Sequence, residues 1–286
     1  MIQSMTGFGK ASMQIASKKV TVEIKSLNSK GTDLNVRLPY VYREKELAIR
    51  NEIATKLERG KIDCTVFIEN TADVTTSQIN VAVVQSYINQ LKQINPTADE
   101  TELMKMAIRI PDSLKTAREE IDENEWAEIH KTIIEAIENI INFRQDEGKS
   151  LEKEFQLRIA NIRSNMYQAL ELDPERVQNI KTKLHHAITE LKVTVDENRF
   201  EQELIYYLEK LDISEEKVRL TNHLDYFLET INESNANGRK LGFITQEMGR
   251  EINTMGSKSN HAEMQKLVVM MKDELEKIKE QVLNVL

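Results

Sequence analysis

The chain has 286 residues, 40% of them hydrophobic and 30% charged, with 9 Gly and 4 Pro, which excludes a disordered, collagen-like or loop-dominated protein and implies long elements around a substantial core. A formal net charge of −8 excludes a uniformly basic nucleic-acid wrapper, yet residues 1–70 hold 12 Lys/Arg against 8 Asp/Glu, so the acid excess belongs to the rest of the chain. The N-terminal end is therefore a candidate polyanion surface, the ordinary alternative being a solvated charged face.

Cys64 is the only cysteine, which rules out an intrachain disulfide and a thiolate zinc cluster and fits a reducing compartment. No charged flank and apolar run opens the chain, and no apolar run reaches the roughly 18 residues that crossing a bilayer needs. The expectation is a soluble, cytoplasmic protein with no membrane partner.

In chain order, Val20, Val22 and Ile24 alternate with Thr21, Glu23 and Lys25, and Leu34, Val36 and Leu38 with Asn35 and Arg37, as half-buried strands do. Ile49, Ile53 and Leu57 recur at helical spacing before Gly60, and Ile62, Cys64, Val66 and Ile68 make a third strand. Burying the apolar face of this sheet turns Glu23, Lys25, Asn35 and Arg37 outward, where a phosphate backbone could lie. From about residue 75 the period becomes helical, with Val81, Val84, Ile88 and Leu91 on one stripe, and no further strand is expected. Residues 110–123 read as a mobile loop or hinge. Trp126 to Ile140 mark a helix, Gly148 interrupts it, Leu151 to Met166 mark another, and Asp173-Pro174 restarts the chain into a stripe from Val177 to Leu191.

The fold class expected is α+β: an N-terminal strand-rich module with one helix (1–75), a helical middle region with the mobile segment (76–195), and a C-terminal helical domain (196–286) carrying the candidate active site.

Chemistry concentrates between Leu211 and Lys258. Asp212 and Ser214 offer cap oxygens, Glu215 and Glu216 complement a helix N-terminus, and the helix should run to about Asn232. A second helix carries Leu241, Ile244 and Met248 to about Asn253 before Gly256. A short connection makes the two antiparallel, which puts His223 level with Gly249, bracketed by Glu247 and Glu251, with Arg250 beside them. Glu216 lies two turns before His223, with Arg219 between.

One imidazole and several carboxylates suit Mn²⁺ or Mg²⁺, which can activate water against a phosphodiester, while Arg219, Arg250 and Lys258 could offset charge on the phosphate. The bland alternative is a set of exposed ion pairs and a satisfied histidine. No Walker-type loop, nucleophile elbow or paired-histidine motif competes. Cys64 sits among apolar strand neighbours as core.

Ser4-Met-Thr-Gly-Phe-Gly-Lys10, the strands containing Glu23, Asn28 and Arg37, Arg59-Gly-Lys61, Phe143-Arg-Gln-Asp-Glu-Gly148, Arg199-Phe-Glu-Gln-Glu203, Asp212-Ile-Ser-Glu-Glu216, Gly238-Arg-Lys-Leu, Gln246-Glu-Met-Gly-Arg-Glu-Ile-Asn-Thr254 and Ser257-Lys-Ser-Asn260 together resemble the YicC/YloC family. The resemblance spans the chain. It implies a divalent-metal-dependent endoribonuclease that assembles as a hexamer around a channel and cuts structured RNA. With that activity expected, the helix geometry above makes His223, Glu247, Arg250, Glu251 and Lys258 the catalytic candidates. The metal-ligand candidates are Glu216, His223, Glu247 and Glu251, and the RNA-contact candidates are Lys25, Asn28, Arg37, Lys61 and Arg219. Two positions depart from the family pattern: His261 follows Ser-Lys-Ser-Asn where an acid is usual, so it either replaces a functional acid or serves only as a cap, and Gly249 stands where a polar residue is common. Two rivals remain: a non-catalytic RNA-binding adaptor serving a separate nuclease, and a structural oligomer docking through Met264, Leu267, Met271, Leu275 and Ile278.

Overall fold

Two-residue alternation in the first seventy residues does become strands. In this computed structural model, which describes residues 2–15, 18–70, 77–116, 122–191, 196–233 and 238–286, β1 (Gly7–Ile15), β2 (Lys18–Leu27), β3 (Thr32–Arg37), a 3-10 turn (Tyr40–Lys45), α1 (Glu46–Leu57) and β4 (Gly60–Asn70) form the N-terminal module. The sheet order is β1-β2-β4-β3, with β3 and β4 parallel and the other pairs antiparallel. Three strands are predicted and β1 is the fourth; its Gly7-Phe8-Gly9-Lys10 start hides the apolar period. Gly9 is there for contact: a Cβ would lie 2.2 Å from the Ala136 carbonyl oxygen.

The inner sheet face, including Val20, Val22, Ile24, Ile62, Cys64 and Val66, packs on Ile49, Ile53 and Leu57 of α1 and on Ile129, Ile133, Ile137 and Ile140. Burial pushes the Cys64 thiol up to about 12, so it is an inert core group. The opposite face carries Lys25, Asn35 and Arg37 exposed and Glu23 half-exposed, as the alternation requires.

Next come β5 (Ser77–Ile79), α2 (Val81–Ile94), α3 (Glu100–Ala107) and β6 (Leu114–Thr116). The helices share a small core of Val84, Ile88, Leu103 and Ala107. The expectation of no strand after residue 75 is corrected here, since β5 and β6 pair antiparallel, each too short to display a period. Leu114–Thr116 falls inside the segment expected to be a mobile loop, and residues 117–121 of that segment lie outside the described residues.

The helical region comprises α4 (Glu123–Glu171), α5 (Asp173–Leu191), α6 (Glu197–Lys210), α7 (Ser214–Asn232), α8 (Gly238–Lys258) and α9 (Ala262–Val282). The break expected at Gly148 does not occur: α4 is one helix of 49 residues, about 73 Å long. A Cβ at Gly148 would meet the Ile2 carbonyl oxygen at 2.1 Å, so the glycine admits a crossing chain rather than ending a helix. Gly256 likewise lies inside α8, which extends past Asn253 to Lys258; a Cβ there would meet Val268 at 2.9 Å.

The first half of α4 covers the sheet. Its second half, through Phe155, Ile159, Ile162 and Met166, enters a second core with α7, α8 and α9. Met264, Met271, Leu275 and Ile278 are buried in that core and Leu267 packs against it, so the stripe considered for docking is intramolecular.

Candidate active site on the α7–α8 pair

Helix-end electrostatics bring the first turn of α7 to the last turn of α8. Asp212 accepts from the Ser214 amide at 3.1 Å and its hydroxyl at 2.8 Å, starting α7 and holding the Asp212 carboxyl below its ordinary range. Glu215 and Glu216 then sit in the positive first turn, and Lys258 sits in the negative last turn of α8. Lys258 Nζ crosses between them, donating to the Asp212 carbonyl at 2.9 Å and to Glu216 Oε1 at 2.7 Å.

Glu216 is 5% exposed, and its second oxygen, Oε2, is buried with no hydrogen-bond partner among the described residues. A buried anionic oxygen left without a donor is costly, which sets this carboxylate apart from ordinary helix-end pairs. Glu251, 9% exposed, lies across on α8, where its Oε1 is 4.0 Å from Arg219 Nη1. Arg219 also pairs with Glu215 on its own helix. Arg250 donates to Glu247 at 2.6 Å on the open side of α8, and His223 is half-buried on α7.

The geometry thus joins Glu216 with Lys258, Glu251 with Arg219, and Glu247 with Arg250. It gathers no three His, Cys, Asp or Glu side chains into a metal-holding group among the described residues, so His223, Glu247 and Glu251 form no ready three-ligand centre. Two of the carboxylates are of the donor type a hard cation takes. Mg²⁺ and Mn²⁺ keep several waters and take one or two protein carboxylates, and Glu216 and Glu251 are two buried ones, the first with an uncommitted oxygen.

Two buried arginines that sequence patterning does not single out support these surfaces. Arg176, 2% exposed, pairs with Asp173 and donates to the Lys258 carbonyl at 2.9 Å, closing the end of α8 that carries Lys258. Arg144, 1% exposed, donates to the carbonyls of Leu57, Arg59 and Met5 and to Ser26 Oγ, pinning three stretches of the N-terminal module. Burial pulls its guanidinium down to about 10, still protonated at neutral pH. Neither has a local signal beyond a charged residue at an apolar phase of its helix.

His261 is the N-cap of α9, its Nδ1 accepting from the Met264 amide at 3.4 Å, so of the two roles open to it the structure supplies the cap. A Cβ at Gly249 would meet Leu275 at 3.4 Å, an ordinary contact.

Of the RNA-contact candidates, Lys25, Arg37 and Lys61 are exposed on the outer sheet face. Lys25 lies 5.8 Å over the Phe8 ring and 3.7 Å from Glu23, whose carboxyl is held low chiefly by the hydrogen bond from Lys10. Asn28 is elsewhere, lining a cleft between the module and the ends of α8 and α9. Among the described residues no helix is long and apolar enough to cross a membrane.

Residues 2–153 match the family model described as endoribonuclease YicC-like, N-terminal region, and residues 169–286 match the one described as endoribonuclease YicC-like, C-terminal. The chain is 33% identical over 294 residues to a Clostridioides difficile protein named probable endoribonuclease YicC, covering all of both chains. It is 28% identical over 290 residues to a Haemophilus influenzae protein of the same name, covering 99% of each. With both halves matched and full-length relatives aligned end to end, this α+β chain belongs to the YicC-like endoribonuclease family.

Proposed function

We propose that this protein is an endoribonuclease that cuts phosphodiester bonds in structured RNA along the α7–α8 pair with the help of Mn²⁺ or Mg²⁺. The supporting observation is Glu216, a buried carboxylate with one oxygen on Lys258 and the other without a donor among the described residues, on a helix pair that also buries Glu251. Glu216 and Glu251 would hold the cation, with His223 and Glu247 on the same two helices as further candidates. Bound there, the ion would supply Lewis-acid stabilisation of charge on the phosphate.

The remaining work falls to side chains. Arg219 and Arg250 are well exposed and present planar forks suited to phosphate oxygens. Lys258 ties the two helix ends together, donating to the Asp212 carbonyl and to Glu216 Oε1. Lys25, Arg37 and Lys61 offer the folded RNA a positive sheet face. A homo-oligomer, with a hexamer as the family resemblance implies, belongs to the same proposal, supported by Ile205, Tyr206 and Tyr207, which α6 leaves exposed.

The test is cleavage of an end-labelled RNA hairpin by highly purified protein during Mn²⁺ and Mg²⁺ titration. Cutting that stops with chelator, returns with the metal and falls at least about a hundredfold in Glu251→Gln and Glu216→Gln is the expected result. Binding of the hairpin without cutting at any metal concentration would leave the adaptor role instead. Unchanged rate and metal dependence in both variants would remove this site.

A further inference from the structure

A cleft of about 720 Å³ lies where the N-terminal module meets the start of α8 and the end of α9. Four cations line it, Lys30 and Arg59 from the module, Arg239 from α8 and Lys279 from α9, together with the amides of Asn28 and Gln246; among the described residues no Asp or Glu lines it. The chain as a whole has eight more acids than bases, so this lining runs against its overall charge. The first turn of α8, a helix of 21 residues, forms one wall and adds its positive dipole end. The geometry is firmly held: Arg144 fixes the Arg59 and Met5 carbonyls, and Gly238 packs so tightly that a Cβ would lie 2.5 Å from the Val285 carbonyl oxygen.

One ridge leads out of the cleft. Arg239, Phe243, Gln246, Arg250, Asn253 and Ser257 are all exposed and recur every three or four residues, so they form one stripe of α8, with Glu247 beside it paired to Arg250 at 2.6 Å. The stripe ends beside the turn that carries Lys258, and twelve residues separate Arg239 from Glu251, about 18 Å along the helix. A free nucleotide would need the cleft alone, whereas a polynucleotide needs an exit.

We propose that this cleft anchors the sugar–phosphate backbone of the substrate RNA at a fixed distance from the α7–α8 pair. The anchor rests on the endoribonuclease reading and adds to it a second, non-cutting contact for the same strand. Arg59 and Arg239 contribute from the walls, and Lys30 and Lys279, the latter also paired with Glu276 at 2.6 Å on its own helix, are the ammonium groups that meet phosphate oxygens as point charges.

The test is equilibrium binding of a fluorescent RNA hairpin in chelator, across 50 to 200 mM salt, which are chosen assay conditions in the range where counterion release is measurable. Lys30→Glu with Lys279→Glu should weaken binding about tenfold or more and flatten the slope of log affinity against log salt by about one to two. Lys30→Arg with Lys279→Arg should restore both, and unfolding midpoints of the variants report that the fold is intact. Unchanged affinity and slope in the charge-reversed protein, with wild type still cutting RNA, would overturn the anchor and leave the nuclease standing. If wild type neither binds nor cuts the hairpin, both fall. Labelled ATP binding that is lost in the reversed variant while hairpin affinity is unchanged would make the cleft a nucleotide site and overturn the RNA assignment.

Discussion

Glu216 and Lys258 show how much of a buried pair's energy lies in being a pair. Removing the ammonium strands a carboxylate that is 5% exposed and already has one oxygen unpartnered, and breaking such a pair costs about 3–5 kcal/mol. Lys258→Met should therefore destabilise the protein by about 3 kcal/mol, and Glu216→Gln added to it should recover at least half of that, because the stranded charge has gone. Urea unfolding of the two singles and the double reads this cycle directly; additive losses would mean that the groups act independently. Both residues are visible in the sequence as helix-end charges, Glu216 as a candidate ligand and Lys258 as a candidate phosphate contact. Their contact is not visible, because it joins positions 42 apart through the antiparallel arrangement of two helices. Arg144 is harder still to recognise, since its four acceptors come from three stretches of chain far from it in sequence.

Among elements, α4 and α9 make a similar case at their seam. Glu274 accepts from Lys277 at 2.9 Å, Asn161 at 3.0 Å and Arg158 at 3.3 Å. Burial alone would push its carboxyl up, but these donors more than reverse the effect and hold it below its ordinary value. A depressed carboxyl contributes stability that is present above its unfolded value, near 4.3, and lost as pH falls through the lower folded value. Glu274→Gln should thus be less stable than wild type by about 1–2 kcal/mol at pH 7, with the gap closing below about pH 4. Urea titrations at pH 7, 5 and 3.5 measure it, and a gap that stays constant with pH would assign the loss to packing. Strongly periodic elements were legible: β2 follows from Val20, Val22 and Ile24, and α7 from Asp212 to Asn232. The two three-residue strands were not, because pairing with each other defines them rather than any internal period.

Over the whole molecule, the chain ends are sewn together beside α4. Ser4 donates to the Arg144 carbonyl at 3.0 Å and Met5 to that of Asn284 at 2.7 Å, while Leu286 donates to Gln3 at 2.9 Å. Gly148 makes room for this crossing. In an open helix Gly→Ala is stabilising by about 1 kcal/mol, but Gly148→Ala should cost about 1–3 kcal/mol, because its methyl displaces the Ile2 backbone. A raised unfolding midpoint would contradict that. A glycine that ends a helix and one that lets a distant strand pass are identical in a one-dimensional pattern, and only the tertiary contact tells them apart. The uninterrupted run of α4 through both hydrophobic cores has a mechanical corollary: it is a beam without a joint. Strain applied at the sheet is carried along that helix toward α7 and α8, so the two cores should move together as one lever instead of flexing against each other at its middle.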